Sequence, residues 1–382
     1  MSRSLHDCRV LSVKDLHGYS EQTEITTIKL DDAGRLWASC FDRDPTKLMK
    51  MASGVSVSCL VLKDSNADPN PGLKVCYSAQ PLQQITDICF IGKFILICSK
   101  SPLPTSKQMF VRLFDPQNFS KDLYENKFSF QFATYSNCFA TVDNLVFYLS
   151  EKGLEYMFVC KKESVEYQNQ VRWGLRMEEL SQDYVISALT HSEKEGSYSL
   201  NVVRAQGFST SNPSYEIYSI VRMNQGLNRY ILADGKITQT HSRFLATPLF
   251  QHYTQATDGT WLFTSGYNGQ GDTNMLVCFN CADLQPVEYI IFKQGSSWLQ
   301  FLKIARKPTD LDQTYWLVGS ISSSVLIFNF NPTSKSLRLV SEQTFGPNKL
   351  FSCIIDPTDD PKRLILYGRS VQAVSKPLNL SF

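Results

Sequence analysis

An all-β fold is what this sequence predicts, on three observations. Almost every segment alternates apolar with polar residues or is rich in β-branched ones, the period-two signature of a half-buried strand. Clusters of Gly, Pro, Asn and Asp, such as Asp31-Asp-Ala-Gly34 and Asn331-Pro-Thr-Ser334, interrupt the chain about every 8 to 12 residues. The strands also group: a four-stranded meander near the C-terminus is followed by a partial copy roughly fifty residues on, a spacing within the range of propeller blades.

Taken in order, Cys8–Lys14 is a strand with no local partner. Thr23–Leu30 and Val55–Leu62 belong to a first blade over 23–80, and Phe94–Cys98 and Met109–Asp115 to a second over 85–124. A third covers 128–168. Tyr198–Arg204 and Tyr215–Val221 fall in a fourth over 184–223, and Gly259–Ser265 and Asn274–Phe279 in a fifth over 243–293. Leu299–Ala305, Thr314–Gly319, Ser324–Asn329 and Ser336–Val340 make the sixth, 299–340. Phe351–Pro357, Arg363–Gly368 and Ser370–Ser375 repeat its first three strands, so the seventh, 351–375, lacks a fourth. The expected fold is therefore one domain over 1–382: a single β-propeller of seven blades, closed by Cys8–Lys14 as the missing strand of the C-terminal blade. Only Arg172–Asp183 carries a helical pattern, with Leu175 and Leu180.

These residues resemble the WD-repeat β-propeller family: an apolar strand, a polar turn near Pro-x-Asp, an apolar strand ending in Gly or Ser, then a strand ending in an aromatic. Asp31–Ser39 looks like that turn and second strand, and Phe114-Asp115 stands where the family has its aromatic-Asp ending. The chain departs from the pattern in having no Trp-Asp and no Gly-His dipeptide, so the family's hydrogen-bonded Asp-His-Ser/Thr-Trp arrangement is carried over to no blade.

Composition excludes whole classes of function. With 43% hydrophobic and 19% charged residues the chain has material for a core and too little charge for disorder. A net charge of +2 gives no global attraction to nucleic acid or anionic membrane, which disfavours direct nucleic-acid binding. No apolar run reaches the roughly 18 to 20 residues of a membrane span. The eleven Cys are scattered, many in apolar runs, as in a reducing compartment, and the first residues lack a secretory pattern, so a cytoplasmic or nuclear location is expected.

Catalytic chemistry finds little support. Cys278-Phe-Asn-Cys281 is the one Cys-x-x-Cys, without the second pair or nearby His that zinc needs, and reads as two structural thiols. Gly266-Tyr-Asn-Gly-Gln-Gly271 precedes a strand where a phosphate loop precedes a helix, and reads as a β-turn. His241 and His252 have Asp258 as a conceivable partner but no nucleophile elbow, and read as loop or core histidines. No catalytic residue, metal or cofactor is expected.

What remains is surface. Arg172-Trp173 and Arg176, in the segment least like a strand, combine the residue types favoured at interface hot spots. Lys47 and Lys50, in Lys47-Leu-Met-Lys-Met51 of the long first-blade loop, form a second apolar-basic candidate. The reading is a non-catalytic protein–protein interaction scaffold, a subunit of a larger intracellular complex whose partners are other protein subunits. The alternative is a propeller enzyme or small-ligand binder using the central channel.

Overall fold

The computed structural model describes residues 11–12, 22–33, 35–42, 58–63, 74–79, 83–101, 108–129, 139–150, 153–192, 197–205, 213–221, 226–245, 250–293, 297–309, 313–345, 350–355, 363–368 and 372–377. They form seven antiparallel sheets, each a blade. The first holds β2 (Thr23–Leu30), β3 (Leu36–Asp42), β4 (Ser58–Lys63) and β5 (Lys74–Ser78). The second holds β6 (Gln84–Ile91), β7 (Phe94–Lys100), β8 (Gln108–Phe114) and β9 (Tyr124–Ser129). The third is β10 (Phe139–Val142), β11 (Leu145–Ser150), β12 (Gly153–Lys161) and β14 (Tyr184–Ser192), with the short β13 (Met177–Glu179) added outside β14. The fourth is β15 (Ser197–Arg204), β16 (Tyr215–Val221), β17 (Gly226–Ala233) and β18 (Lys236–Phe244). The fifth is β19 (Gln251–Thr257), β20 (Trp261–Asn268), β21 (Thr273–Asn280) and β22 (Pro286–Lys293). The sixth is β23 (Phe301–Arg306), β24 (Tyr315–Ile321), β25 (Ser324–Asn331) and β26 (Ser336–Thr344).

The seventh blade contains β27 (Leu350–Ile355), β28 (Arg363–Gly368) and β29 (Gln372–Pro377) from the C-terminal end. Its outer strand is β1 (Leu11–Ser12), paired with β29 as Leu11 to Ala373 and Ser12 to Gln372. The expected closure is therefore present: a strand from before blade one completes the last blade, and the otherwise open edge of β29 is covered.

The first strands of successive blades touch one another around a central ring, from β2 through to β27 and back. Polar side chains tie neighbours together there. Thr26 Oγ1 donates to the Ile85 carbonyl at 2.8 Å, Asn201 Nδ2 to that of Gln255 at 3.3 Å, and Lys303 Nζ to that of Cys353. The apolar core lies between blades, where large side chains of facing sheets interdigitate: Leu96 and Tyr148 between blades two and three, Phe147 and Ile217 between three and four, Phe263 and Phe330 between five and six. Cys40, Cys89, Cys98, Cys160, Cys278, Cys281 and Cys353 are buried.

Several sequence expectations need correction. Tyr184–Ser192, placed at the start of blade four, pairs along its whole length with β12 and is the fourth strand of blade three; blade four starts at Ser197. Blade four runs on to Phe244, not 223, because β17 and β18 are its third and fourth strands, so that Arg243 belongs to it and blade five starts at Gln251; likewise Phe128 lies in β9, the last strand of blade two. The helix is not Arg172–Asp183 but α1, Val165–Arg172, and Met177–Glu179 further on is a strand. The shift of Tyr184–Ser192 and that of the helix follow from one cause. Residues 162–183 are an insertion between the third and fourth strands of blade three, which breaks the regular spacing of turns. Among the described residues no helix is long and apolar enough to cross a membrane.

Candidate partner-binding surface

The insertion is built by local signals. Ser164 caps α1, its hydroxyl accepting from the Tyr167 N–H at 3.2 Å, with Glu166 in the first turn and Arg172 in the last, both favourable to the helix dipole. At the other end Gly174 takes φ +70°, and the N–H groups of Gly174 and Leu175 donate to the carbonyls of Val171 (3.0 Å) and Gln170 (3.1 Å). That is the paired bonding of a Schellman cap, which needs a residue free to be left-handed. The chain then reverses into β13, where Lys162 forms an ion pair with Glu179 at 2.6 Å and lowers its carboxyl below the usual range.

Beyond the cap the insertion docks on the neighbouring blade. Asp234 and Gly235, at φ +49° and +72°, make the two-residue turn between β17 and β18. A Cβ on Gly235 would lie 3.2 Å from Trp173 Cε3 and 3.2 Å from Leu175 Cδ1, so both side chains rest on that turn. Trp173 is thus half-buried against blade four and serves as the anchor that fixes the insertion, where the sequence suggested a free hot spot or packing on its own blade. Arg172 and Arg176 are exposed, the latter to 88% of its side chain, with Glu178 at 4.0 Å. Beside them Val165 and Val171 are each 53% exposed, two large apolar groups that the sequence reading missed. Their signal lay in the helix itself: Gln170 turns inward and is buried, which sends Val165, Val171 and Arg172 outward. Lys47 and Lys50 lie outside the described residues.

The candidates for chemistry are occupied structurally. Cys278 is buried in β21 and Cys281 in the turn after it; burial raises both thiols, that of Cys281 to about 11, so both stay protonated. Gly266–Asn268 end β20 and residues 269–272 turn the chain into β21, where Asp272 accepts from the Tyr267 hydroxyl at 3.0 Å. Asp258 is taken by Tyr315 and Lys307, not by either histidine. His252 is buried, and burial lowers its pKa to about 4; its Nδ1 lies 3.0 Å from Thr264 Oγ1. In the central ring, Lys29 pairs with Asp87 at 3.2 Å, and that carboxylate raises the lysine's pKa. Among the described residues no three His, Cys, Asp or Glu side chains gather as metal ligands.

No protein-family model matches the sequence, and no curated protein matches it. Solved structures do share the architecture. The chain is similar to Sqt1 from Chaetomium thermophilum, with TM-score 0.53 and 11% identity over 95% of this chain and 97% of that one. It is likewise similar to the Dos1 propeller, with TM-score 0.56 and 8% identity over 96% and 94% of the two chains. The Vanderwaltozyma polyspora Nup133 β-propeller domain gives TM-score 0.50 and 12% identity over 94% and 99%. At such identities the shared property is the fold, and the chain is a β-propeller.

Proposed function

We propose that this propeller is a non-catalytic scaffold that holds other protein subunits within a larger intracellular complex, and that the insertion of blade three is one of its contact surfaces. The observation that carries the reading is the combination of exposure and fixation. Val165, Val171, Arg172 and Arg176 point outward from a short helix and its exit, while Trp173 and Leu175 hold that segment on blade four. A surface fixed before binding loses little further freedom on association. Apolar groups flanked by guanidinium groups suit a partner that presents apolar and acidic side chains together. Lys47 and Lys50 belong to a second contact in the same proposal. The test is co-purification from the native source with a Val171→Ser/Arg172→Ala/Arg176→Ala variant that leaves Trp173 in place. Loss of a stoichiometric partner at unchanged melting temperature is expected; an unchanged set of partners overturns this surface.

A further inference from the structure

We propose that the rim of the border between blades five and six, where Tyr253, Tyr267 and Trp298 meet beside Asp272, takes an arginine side chain of a partner protein. The rings come from three places. Tyr253 stands in β19, Tyr267 near the end of β20, and Trp298 in the connection from β22 to β23. Tyr253 and Trp298 stack with ring centroids 4.9 Å apart at 22°, and Tyr267 meets Trp298 at 6.3 Å and 56°. All three rings keep part of their surface in solvent.

Hydrogen bonds hold this corner in place. Asn274, buried in β21, donates from Nδ2 to the Ser297 carbonyl at 3.1 Å, and the Gln300 N–H donates to the Ser320 carbonyl of β24 at 2.8 Å. The connection that carries Trp298 is thus tied to both blades. Asp272, partly exposed, accepts from the Tyr267 hydroxyl on Oδ1 at 3.0 Å, and among the described residues no cation pairs with its carboxylate. By contrast Asp143 and Asp258, in turns at the other end of the strands, each have a basic neighbour, Arg204 and Lys307.

The occupant follows from charge. The face of an aromatic ring is negative and attracts a cation, that of Trp most strongly. A carboxylate without a counter-ion at the edge of the same rings selects the same charge. Arginine fits better than lysine, because a planar guanidinium stacks on a ring while its N–H groups reach an adjoining carboxylate. Rings fixed before binding lose little further freedom on association. This contact extends the scaffold reading without resting on the insertion of blade three. The insertion lies between a third and a fourth strand and the Asp272 turn between a second and a third, which puts them at opposite ends of the blades.

The probe is N-acetyl-arginine amide, with the neutral isostere N-acetyl-citrulline amide as control, both at constant ionic strength. Labelling with fluorinated tryptophan gives five fluorine NMR signals, from Trp37, Trp173, Trp261, Trp298 and Trp316, and Trp298→Phe identifies the one that matters. One side chain on an open rim binds at roughly 1–20 mM. The Trp298 signal should therefore shift saturably with the arginine probe up to about 50 mM and stay in place with citrulline. Asp272→Asn removes the charge and suits the left-handed backbone there, at φ +48°. It should weaken binding fivefold or more, with the other four signals unmoved because the fold is kept. Tyr267→Leu removes one ring and should weaken it likewise. The absence of a saturable shift, an equal shift from citrulline, or undiminished affinity in both variants overturns the proposal. Because binding is read on the free chain, such a failure is separate from any loss or retention of partners in co-purification.

Discussion

The carboxylate of Asp258 accepts a hydrogen bond from the hydroxyl of Tyr315 at 2.9 Å, across the border between blades five and six. The same pair recurs two blades earlier, where Asp143 accepts from Tyr215 at 3.0 Å. In both, the acid sits in the first turn of one blade and the tyrosine begins the second strand of the next. A basic side chain completes each: Arg204 at 3.8 Å from Asp143 and Lys307 at 3.9 Å from Asp258. Burial raises both phenols, and the neighbouring carboxylates add to it, so the hydroxyls remain donors. The repetition makes these pairs inter-blade staples.

Tyr315→Phe should therefore cost about 1.5–3 kcal/mol, the range for a hydrogen bond to a charged group in a buried setting. Chemical denaturation of Tyr315→Phe, Asp258→Ala and the double variant reads the coupling. A coupling near zero would show that the two side chains meet without stabilising the border.

Acid should weaken the fold through His252. Its folded pKa of about 4 lies below the ordinary 6.5, so the native state binds fewer protons than the unfolded chain between those values. Stability is then full above about pH 6.5 and falls as the pH drops toward 4, by roughly 3 kcal/mol over that interval. His252→Gln removes the titrating group. The variant should show a shallower dependence of unfolding free energy on pH in that window, and an unchanged slope would assign the acid sensitivity elsewhere.

Gly235→Ala should release the insertion. The position is left-handed, which costs alanine about 1–3 kcal/mol, and the new methyl would press on Trp173 and Leu175. Limited proteolysis should then cut within 162–183 faster than in the wild-type chain while the rest of the ring resists. Cleavage at the wild-type rate would mean that the insertion does not depend on this turn.

Removal of Met1 to Asp15 should expose the edge of β29. The truncated chain is expected to melt at a lower temperature and to aggregate on standing. If it melts with the full chain and stays monodisperse, the pairing of Leu11 with Ala373 carries no stability.

How much of this was legible depended on whether the signal was local. The strands of blades six and seven were, since Gly319, Asn331-Pro332 and Gly368 mark their ends within a residue or two of where they fall. Ring closure was legible too, because a blade short of one strand and a strand short of a blade stood at opposite ends of the chain. The insertion is less legible because Leu175 and Leu180 imitate a helical spacing, whereas the cap signals, Ser164 before the helix and Gly174 after it, place the helix one turn and more upstream. The seat of Trp173 on Gly235 could not be read at all. It joins a residue of one blade to a turn of the next, and no periodicity within either segment encodes that meeting.

The pairing of β1 with β29 also sets an order of events during synthesis. Leu11 leaves the ribosome before any blade is made, and Ala373 only after six are complete, so the closing sheet is the last to assemble. Contacts this distant along the chain are slow to form, because the entropy of bringing the ends together is lost before the contact repays it. Until then the nascent ring carries two unsatisfied strands, one at each end. That interval, and not the finished propeller, is where chaperones would be needed and where neighbouring chains on one polysome could exchange closing strands.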